Sequence, residues 1–589
     1  MFEVQLRRSP TTAVADSDAL WRRLSRLLSL VPLAFCAFIA LIILYPIART
    51  FFSLFALGSG LNLSAISAAF SMPGIGQTFL NTIFLVVVSG SSALIVASAM
   101  AWLNERTDAS IPGLSNALPA IPVLIPPVAQ VIGWTLLLAP SAGTVNVVLR
   151  AIFGISTNEG PLNIYSWTGL VFLYTLELFP FAFLVISAGL RNLDASLEEA
   201  SRISGASQLS TLRHITLPAI LPVLMSAAVL MLVMGFALFS VGAIVGSTVR
   251  VDVLSVRIVR LVNGVYPPRT AEALVLSVVI LLIIGGAWLL QNRIARKGRF
   301  ATLGGKGARA TPVRLGIWRW PARITVLCYV AAAVIAPVLA LLYVSLQPFW
   351  TPKFNFARLS FDAYREAFFE QGQAHLALID SSILGIVGAT LGMIVAVISA
   401  IVIRRRRQDV PSRIFDAIFK IPAAIPHIVL AIGILVAFGG SPFFLSGTLF
   451  LLLVGYLTAY LPQASLAAAS SVSQVGNELV EASRICGAGE VRTFFSVWLP
   501  LMLPGIASGW VLLFAMMSGD LTTSVLLANT ATPTVGSTLL QQYESGSYPL
   551  IAALALLITL TSSTIVLVVL RFAGGGLPAA YVRTKDTRA

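Results

Sequence analysis

Long apolar runs broken by short polar stretches set the pattern of this chain. Six runs of spanning length fall at roughly 28 to 48, 78 to 101, 117 to 139, 164 to 190, 218 to 246 and 273 to 291. Six more fall at roughly 324 to 346, 380 to 403, 417 to 438, 443 to 465, 504 to 530 and 550 to 571. Each is near the ~20 residues that a helix needs to cross a bilayer core. The pattern predicts an all-α polytopic membrane protein of about 12 transmembrane helices in two sets of six. A polar segment, 1–27, precedes the first transmembrane domain, 28–291. A linker rich in Gly, Arg and Lys, 292–323, leads to the second, 324–571, and a tail, 572–589, follows.

After the fourth run of each set the apolar residues take up helical spacing. Leu193, Leu197, Ala200 and Ile203 do so in the first half, and Val475, Leu479, Ala482 and Ile485 in the second, which predicts one face of a short amphipathic helix. Glu198, Glu199 and Arg202, like Glu478, Glu481 and Arg484, lie on other faces, where charge stays hydrated or meets a partner. Gly205 and Gly487 supply the backbone freedom that ends such a helix. Leu209, Leu212 and Ile215, matched by Val491, Phe494 and Val497, predict a second short helix, and Pro218 or Pro500 marks the start of the next span. The sequence from Glu199 to Gly205 matches that from Glu481 to Gly487 at six of seven positions, with a constant offset of 282.

The halves align beyond these stretches. Pro122, Pro126 and Gly133 map onto Pro422, Pro426 and Gly433 at an offset of 300, so the first half holds eighteen extra residues between Gly133 and Pro180. They are expected in the external stretch Ser141 to Asn163, with Val145 to Ile155 as a short surface helix. An even number of spans per half makes the repeats parallel, related by an axis along the membrane normal.

The duplicated stretch resembles the EAA cytoplasmic loop of the membrane subunits of ATP-binding-cassette (ABC) importers: Glu-Ala-Ala, three residues, Gly, then Leu-Pro. Ser201 and Ser483 depart from it at the third position, small for small. The resemblance implies the type I ABC importer permease fold, with EAA loops at 198–218 and 480–500. It implies that Glu199, Ala200, Arg202 and Gly205, with Glu481, Ala482, Arg484 and Gly487, belong to coupling helices that dock onto ATPase subunits. Two ABC ATPases on the cytoplasmic side and a periplasmic substrate-binding protein on the outer side are the implied partners. ATP and Mg would sit on the ATPases, with no cofactor and no catalytic residue on this chain, in a bacterial inner membrane.

Composition agrees with a membrane protein: 57% of the 589 residues are hydrophobic and 11% charged, with a mean hydropathy of +0.90. Arg and Lys outnumber acids 39 to 24, a net charge of +15, which raises a polyanion partner as a possibility. Their distribution removes it. With the N-terminus inside, 30 of the 39 fall on the cytoplasmic side along with both EAA loops, the linker and the tail, as the positive-inside rule requires. No nucleic acid is expected, and the Arg404 to Arg407 run reads as an anchor at the lipid headgroups. The first run follows a basic stretch and lacks a small-residue cleavage site, so it reads as a retained anchor. Cys36, Cys328 and Cys486 form no disulfide framework.

Ionisable groups inside spans are functional candidates by default. Glu177 and Asp520 lie in the fourth and eleventh runs, where the other half has Ala459 and Leu238. With Asn81, Gln130, His427 and Gln463 they are candidates for a cation-compatible translocation path. The alternative for the two acids is a place near a membrane boundary, hydrogen-bonded to a helix end. Pro126-Pro127, and Pro422 with Pro426, suggest broken helices or simple kinks. His214, His375 and His427 show no metal-site spacing. Gly304-Gly305-Lys306-Gly307 lacks the spacing of a phosphate loop, so ATP hydrolysis belongs to another subunit. The outer loops at 49–77, 141–163, 247–272 and 347–379 are expected to meet the binding protein, with Arg250, Arg257, Arg260 and Arg269 as candidate partners for its acids.

Single-chain permeases with two EAA loops are similar to the iron(III), thiamine and 2-aminoethylphosphonate branch of this family. The stretches Ala139 to Gly143 and Pro161 to Ser166 look most like its iron(III) members, which makes ferric iron the leading expectation and phosphonate, thiamine and polyamine the alternatives. A secondary transporter also fits two parallel six-helix halves, but needs no docking loop. A membrane-embedded enzyme would need converging catalytic groups.

Overall fold

The computed structural model describes residues 32–52, 55–56, 60–61, 63–111, 121–122, 125–297, 312–351, 358–370, 372–406 and 409–572. The expected segment 1–27, residues 298–311 of the linker and the tail after Phe572 lie outside them. Among the described residues ten helices are long and apolar enough to cross a membrane. They are Pro32–Phe52, Ile75–Arg106, Trp167–Asn192, Gln208–Ala237 and Thr270–Ile294, then Gly316–Ser345, Gln373–Arg405, Leu449–Ser473, Glu490–Ser518 and Tyr548–Val569. A two-residue hairpin, Phe55–Ala56 with Gly60–Leu61, is the only sheet among them.

The expected third and ninth spans are not smooth helices. Val410–Ala424 and His427–Phe438 meet at 111°, with Pro422 and Pro426 at the corner. Pro126 likewise precedes the short helix Pro127–Leu138, and residues 112–120 before it are not described. Proline has no N–H to donate and crowds the preceding turn, so the paired prolines read from the sequence do break these helices.

Three other spans keep their prolines without breaking. The five-residue π turns Leu212–Thr216, Ala331–Ile335 and Phe494–Trp498 each end two positions before Pro218, Pro337 or Pro500. In each, the residue before the proline donates its N–H five positions back: Leu217 to Leu212, Ala336 to Ala331 and Leu499 to Phe494. The wider turn draws the carbonyls away from the proline ring. Pro218 and Pro500 therefore do not open their spans, which run on from Gln208 and Glu490.

The halves interlock through their first helices. Pro32–Phe52 packs on His427–Phe438, where a Cβ on Gly433 would lie 2.6 Å from Thr50 Oγ1. Gly316–Ser345 packs on Pro127–Leu138, where a Cβ on Gly133 would lie 2.5 Å from Pro337 Cβ and 2.7 Å from its Cα. These glycines are the pair aligned at the offset of 300. The carbonyls freed by the Ala331–Ile335 turn are taken up across the same interface: Gln130 Nε2 donates to Ala333 at 2.8 Å and Trp134 Nε1 to Ala332 at 3.1 Å. Gly133→Ala is expected to cost about 1–3 kcal/mol by overpacking, read as a lowered melting temperature in detergent. Gly285→Ala, whose Cβ meets nothing within 4 Å, is the control and should change little.

The extra residues of the first half include a short helix, Thr144–Phe153, where one was expected over Val145 to Ile155. Fully buried Asn146 ties it down, donating to the carbonyls of Leu138, Ala139 and Leu162 and accepting from the Leu162 N–H. Gly160 lies so close over Asn146 that a Cβ there would clash.

Candidate functional site

The two EAA loops have one architecture. Nine-residue helices, Ala195–Ile203 and Asn477–Ile485, end in the same hydrogen-bond pair. Gly205 N–H reaches the Arg202 carbonyl and Ala206 N–H that of Ser201, as Gly487 and Ala488 reach Arg484 and Ser483. This crossing pair needs a left-handed residue, and Gly205 and Gly487 supply it at φ of 85° and 80°. Space does not demand glycine, since a Cβ would meet nothing within 4 Å at either position; the backbone angle does. The departures from the EAA pattern have a partner: Ser201 and Ser483 hydroxyls lie 3.0 Å from those of buried Thr211 and Thr493. Each serine thus ties its loop helix to the helix that follows. Asp194 caps the first loop helix by accepting the Ser196 N–H at 2.9 Å, which holds its carboxyl below the usual range.

The apolar stripe expected on each loop helix is divided. Leu193 and Val475 are buried, whereas Ile203 and Ile485, 87% and 86% exposed, project from the protein with Leu209 and Val491 beside them. Glu199 and Arg202 are half-buried; Ala200, Gly205, Glu481, Ala482, Arg484 and Gly487 are exposed. Of the two alternatives for Glu198, hydration or a partner, the structure shows the second: it is buried and paired. Each loop therefore offers a small apolar knob flanked by charge.

At the other end of the same helices, both halves break their fifth span at equivalent points. Helix Leu217–Ala237 stops before Leu238, and helix Leu499–Ser518 stops before Asp520. Asp520 caps the next helix, Thr522–Leu527, accepting from Thr523 N–H at 2.8 Å and Thr523 Oγ1 at 2.9 Å, and from Tyr460 Oη at 2.8 Å. In the first half the equivalent residue is Leu238, whose carbonyl takes the Ser255 hydroxyl at 3.0 Å and the Tyr174 hydroxyl at 3.5 Å.

A cavity of about 150 Å³ lies where these breaks meet the proline corners. It is lined by five of the six residues named for the translocation path: Glu177, Gln130, His427, Gln463 and Asp520. Glu177 Oε1 and Gln463 Oε1 are buried without a hydrogen-bond partner among the described residues. The His427 ring packs edge-on to Tyr460 at 5.0 Å. Asn81 lies elsewhere, bonded to Gln77 and to the Asp252 carbonyl. Asp520 is bonded to a helix end and also lines the cavity. Tyr460 was missed; its signal was a polar residue standing where the first half has Leu178. The same holds all round the cavity: Glu177 opposes Ala459, His427 opposes Pro127 and Gln463 opposes Phe181. No three of His, Cys, Asp and Glu among the described residues come together as a metal site, so the lining offers separate donors and no chelate.

A profile of the family described as binding-protein-dependent transport system inner membrane component matches residues 91–296 and again 388–574. The chain belongs to this family. Each matched segment of the permease holds one EAA loop and one broken fifth span, so the family domain occurs here twice in one polypeptide. The permease is 26% identical over 463 residues to a probable ABC transporter permease protein, y4fN, of Sinorhizobium fredii, covering 77% of this chain and 79% of that one. It is 23% identical over 529 residues to the ferric transport system permease protein FbpB of Actinobacillus pleuropneumoniae, covering 89% and 75%. The spermidine/putrescine transport system permease protein PotC of Haemophilus influenzae is 28% identical over 238 residues, which is 90% of that chain and 39% of this one. A relative of that length corresponds to a single half.

Proposed function

We propose that this ABC permease subunit forms, from its two halves, the complete translocation pore of an ATP-driven importer of ferric iron. The observation that carries the reading is the pair of loops sharing one helix–glycine–helix architecture, each projecting an apolar knob from the end of a bundle that holds a cavity with polar groups between its halves. In this reading two ATPase subunits, which hold ATP and Mg, dock on the knobs from the cytoplasm, and a periplasmic binding protein delivers substrate to the outer loops. The chain sits in a bacterial inner membrane with both termini cytoplasmic. ATP-driven closure of the ATPases moves the loops, the broken spans move with them, and the cavity opens outward. This chain performs no covalent step.

Iron is supported by the ferric transport relatives, and the cavity lining carries two separate carboxylates, Glu177 and Asp520, one from each half. Two acids also suit a polyamine, and PotC is a relative of one half. Uptake of labelled ferric iron by iron-starved cells, with the chain deleted or carrying Glu199→Ala with Glu481→Ala, tests the reading. Uptake should fall to background in the deletion and well below the parent in the double variant. Unchanged iron uptake in the deletion would sink the iron assignment, and competition with spermidine or putrescine would then be measured.

A further inference from the structure

Each half holds one arginine at the foot of its loop. Arg106, the last residue of helix Ile75–Arg106, is 6% exposed. Its Nη2 donates to the carbonyls of Leu190 at 2.8 Å and Leu193 at 3.2 Å, where the fourth span passes into the loop. Its Nε lies 3.1 Å from Glu198 Oε2 in the loop helix. The other oxygen of Glu198 accepts the hydroxyl of Thr216, at 2.7 Å, from the outgoing helix. One guanidinium therefore joins the incoming span, the loop helix and, through Glu198, the outgoing span.

The second half builds the same junction from different chemistry. Arg404, near the end of helix Gln373–Arg405, donates to the carbonyls of Val472 and Val475, the latter at 2.7 Å. These are the equivalents of Leu190 and Leu193 at the offset of 282. Glu198 and Thr216 become Val480 and Trp498, and the guanidinium stacks over the Trp498 ring at 5.1 Å. An ion pair in one half is replaced by a cation–π contact in the other. Arg404, expected at the lipid headgroups, is turned into the protein.

Two unlike solutions to one geometric problem point to the geometry as what matters. We propose that Arg106 and Arg404 are positioning residues that make each loop helix move as one body with the spans on either side, so that a displacement of the loop reaches the broken fifth span. The proposal rests on the importer reading. Without the arginine, the chain would pivot where the fourth span ends, at Leu193 and Val475, and absorb the stroke.

The test uses the full permease reconstituted with its ATPase subunits, in a background of Cys36→Ser, Cys328→Ser and Cys486→Ser. Met516→Cys, on the cavity wall, reports opening through its rate of reaction with a charged thiol reagent, with and without trapped nucleotide. The parent rate should change on trapping. Arg106→Gln and Glu198→Val should keep ATP hydrolysis yet shrink that change at least about fivefold, the lower end of ordinary coupling between sites. Glu198→Val with Thr216→Trp, which copies the second half, should restore it. Arg404→Gln, at the junction built without Glu198, gives the same reading if Arg106→Gln does not assemble. An undiminished change in Arg106→Gln or Arg404→Gln, or a double variant as impaired as Glu198→Val alone, overturns the proposal. A parent that neither hydrolyses ATP nor responds to trapping overturns the importer reading itself.

Discussion

Replacing Ile203 and Ile485 together by aspartate is expected to abolish capture of ATPase subunits by the detergent-solubilised permease and to leave its own melting temperature nearly unchanged. Both side chains are more than four-fifths exposed, so the permease loses no packing, and surface substitutions of that kind cost within about 0.5 kcal/mol. The partner loses two apolar anchors. Full burial of one such side chain is worth about 1.5–3 kcal/mol, and two of them, replaced by charges, weaken association by roughly a hundredfold or more at 1.4 kcal/mol per tenfold. Gel filtration of the permease with tagged ATPase reads the result directly. Undiminished capture would remove the knobs from the contact and leave the charged residues of the loops as its only candidates.

Asp520→Leu, which installs the first half's own residue, is expected to destabilise the second half far more than its like-branched skeleton suggests. Thr523 N–H, Thr523 hydroxyl and Tyr460 hydroxyl all donate to this carboxylate. Each buried donor left without an acceptor costs about 1–3 kcal/mol, so the loss is roughly 3 kcal/mol or above, a fall of several degrees in detergent melting. Asp520→Asn keeps one acceptor oxygen for the cap and removes the charge. It is expected to stay within about 1–2 kcal/mol of the parent in stability, the span of a lost cap. Ferric iron uptake should nonetheless drop at least about tenfold, the effect of some 1.4 kcal/mol of lost attraction for a cation. Parental uptake in Asp520→Asn would leave Asp520 as a helix cap alone.

The spans were readable in sequence because a bilayer leaves a helix little choice of length or composition. The repeat was readable because the two halves align with each other, so the glycines at 205 and 487 identified their own conformation. Periodicity placed Leu193 and Ile203 on one stripe but carried no information on which end of it meets the protein. Prolines signalled disruption, but whether they break a span, as at Pro426, or ride in a π turn, as at Pro218, Pro337 and Pro500, depends on what accepts or supplies the freed hydrogen bonds. Gln130 was picked out as a polar group in a membrane; its partner, the Ala333 carbonyl, exists only because Pro337 follows in the other half.

By itself, then, the amino-acid order determined a duplicated all-helical membrane bundle with two matched loops, since spanning length, capping chemistry and internal alignment are all local properties. The fate of each charge was left to the tertiary structure. Whether Glu198 is hydrated or paired, whether Arg404 meets lipid or a tryptophan, and whether Asp520 meets Tyr460 depend on groups brought from 60 or more residues away, as the Tyr460–Asp520 bond is. A buried ionic group is tolerated only where partners satisfy it, and only the packing of the two halves decides where those partners stand.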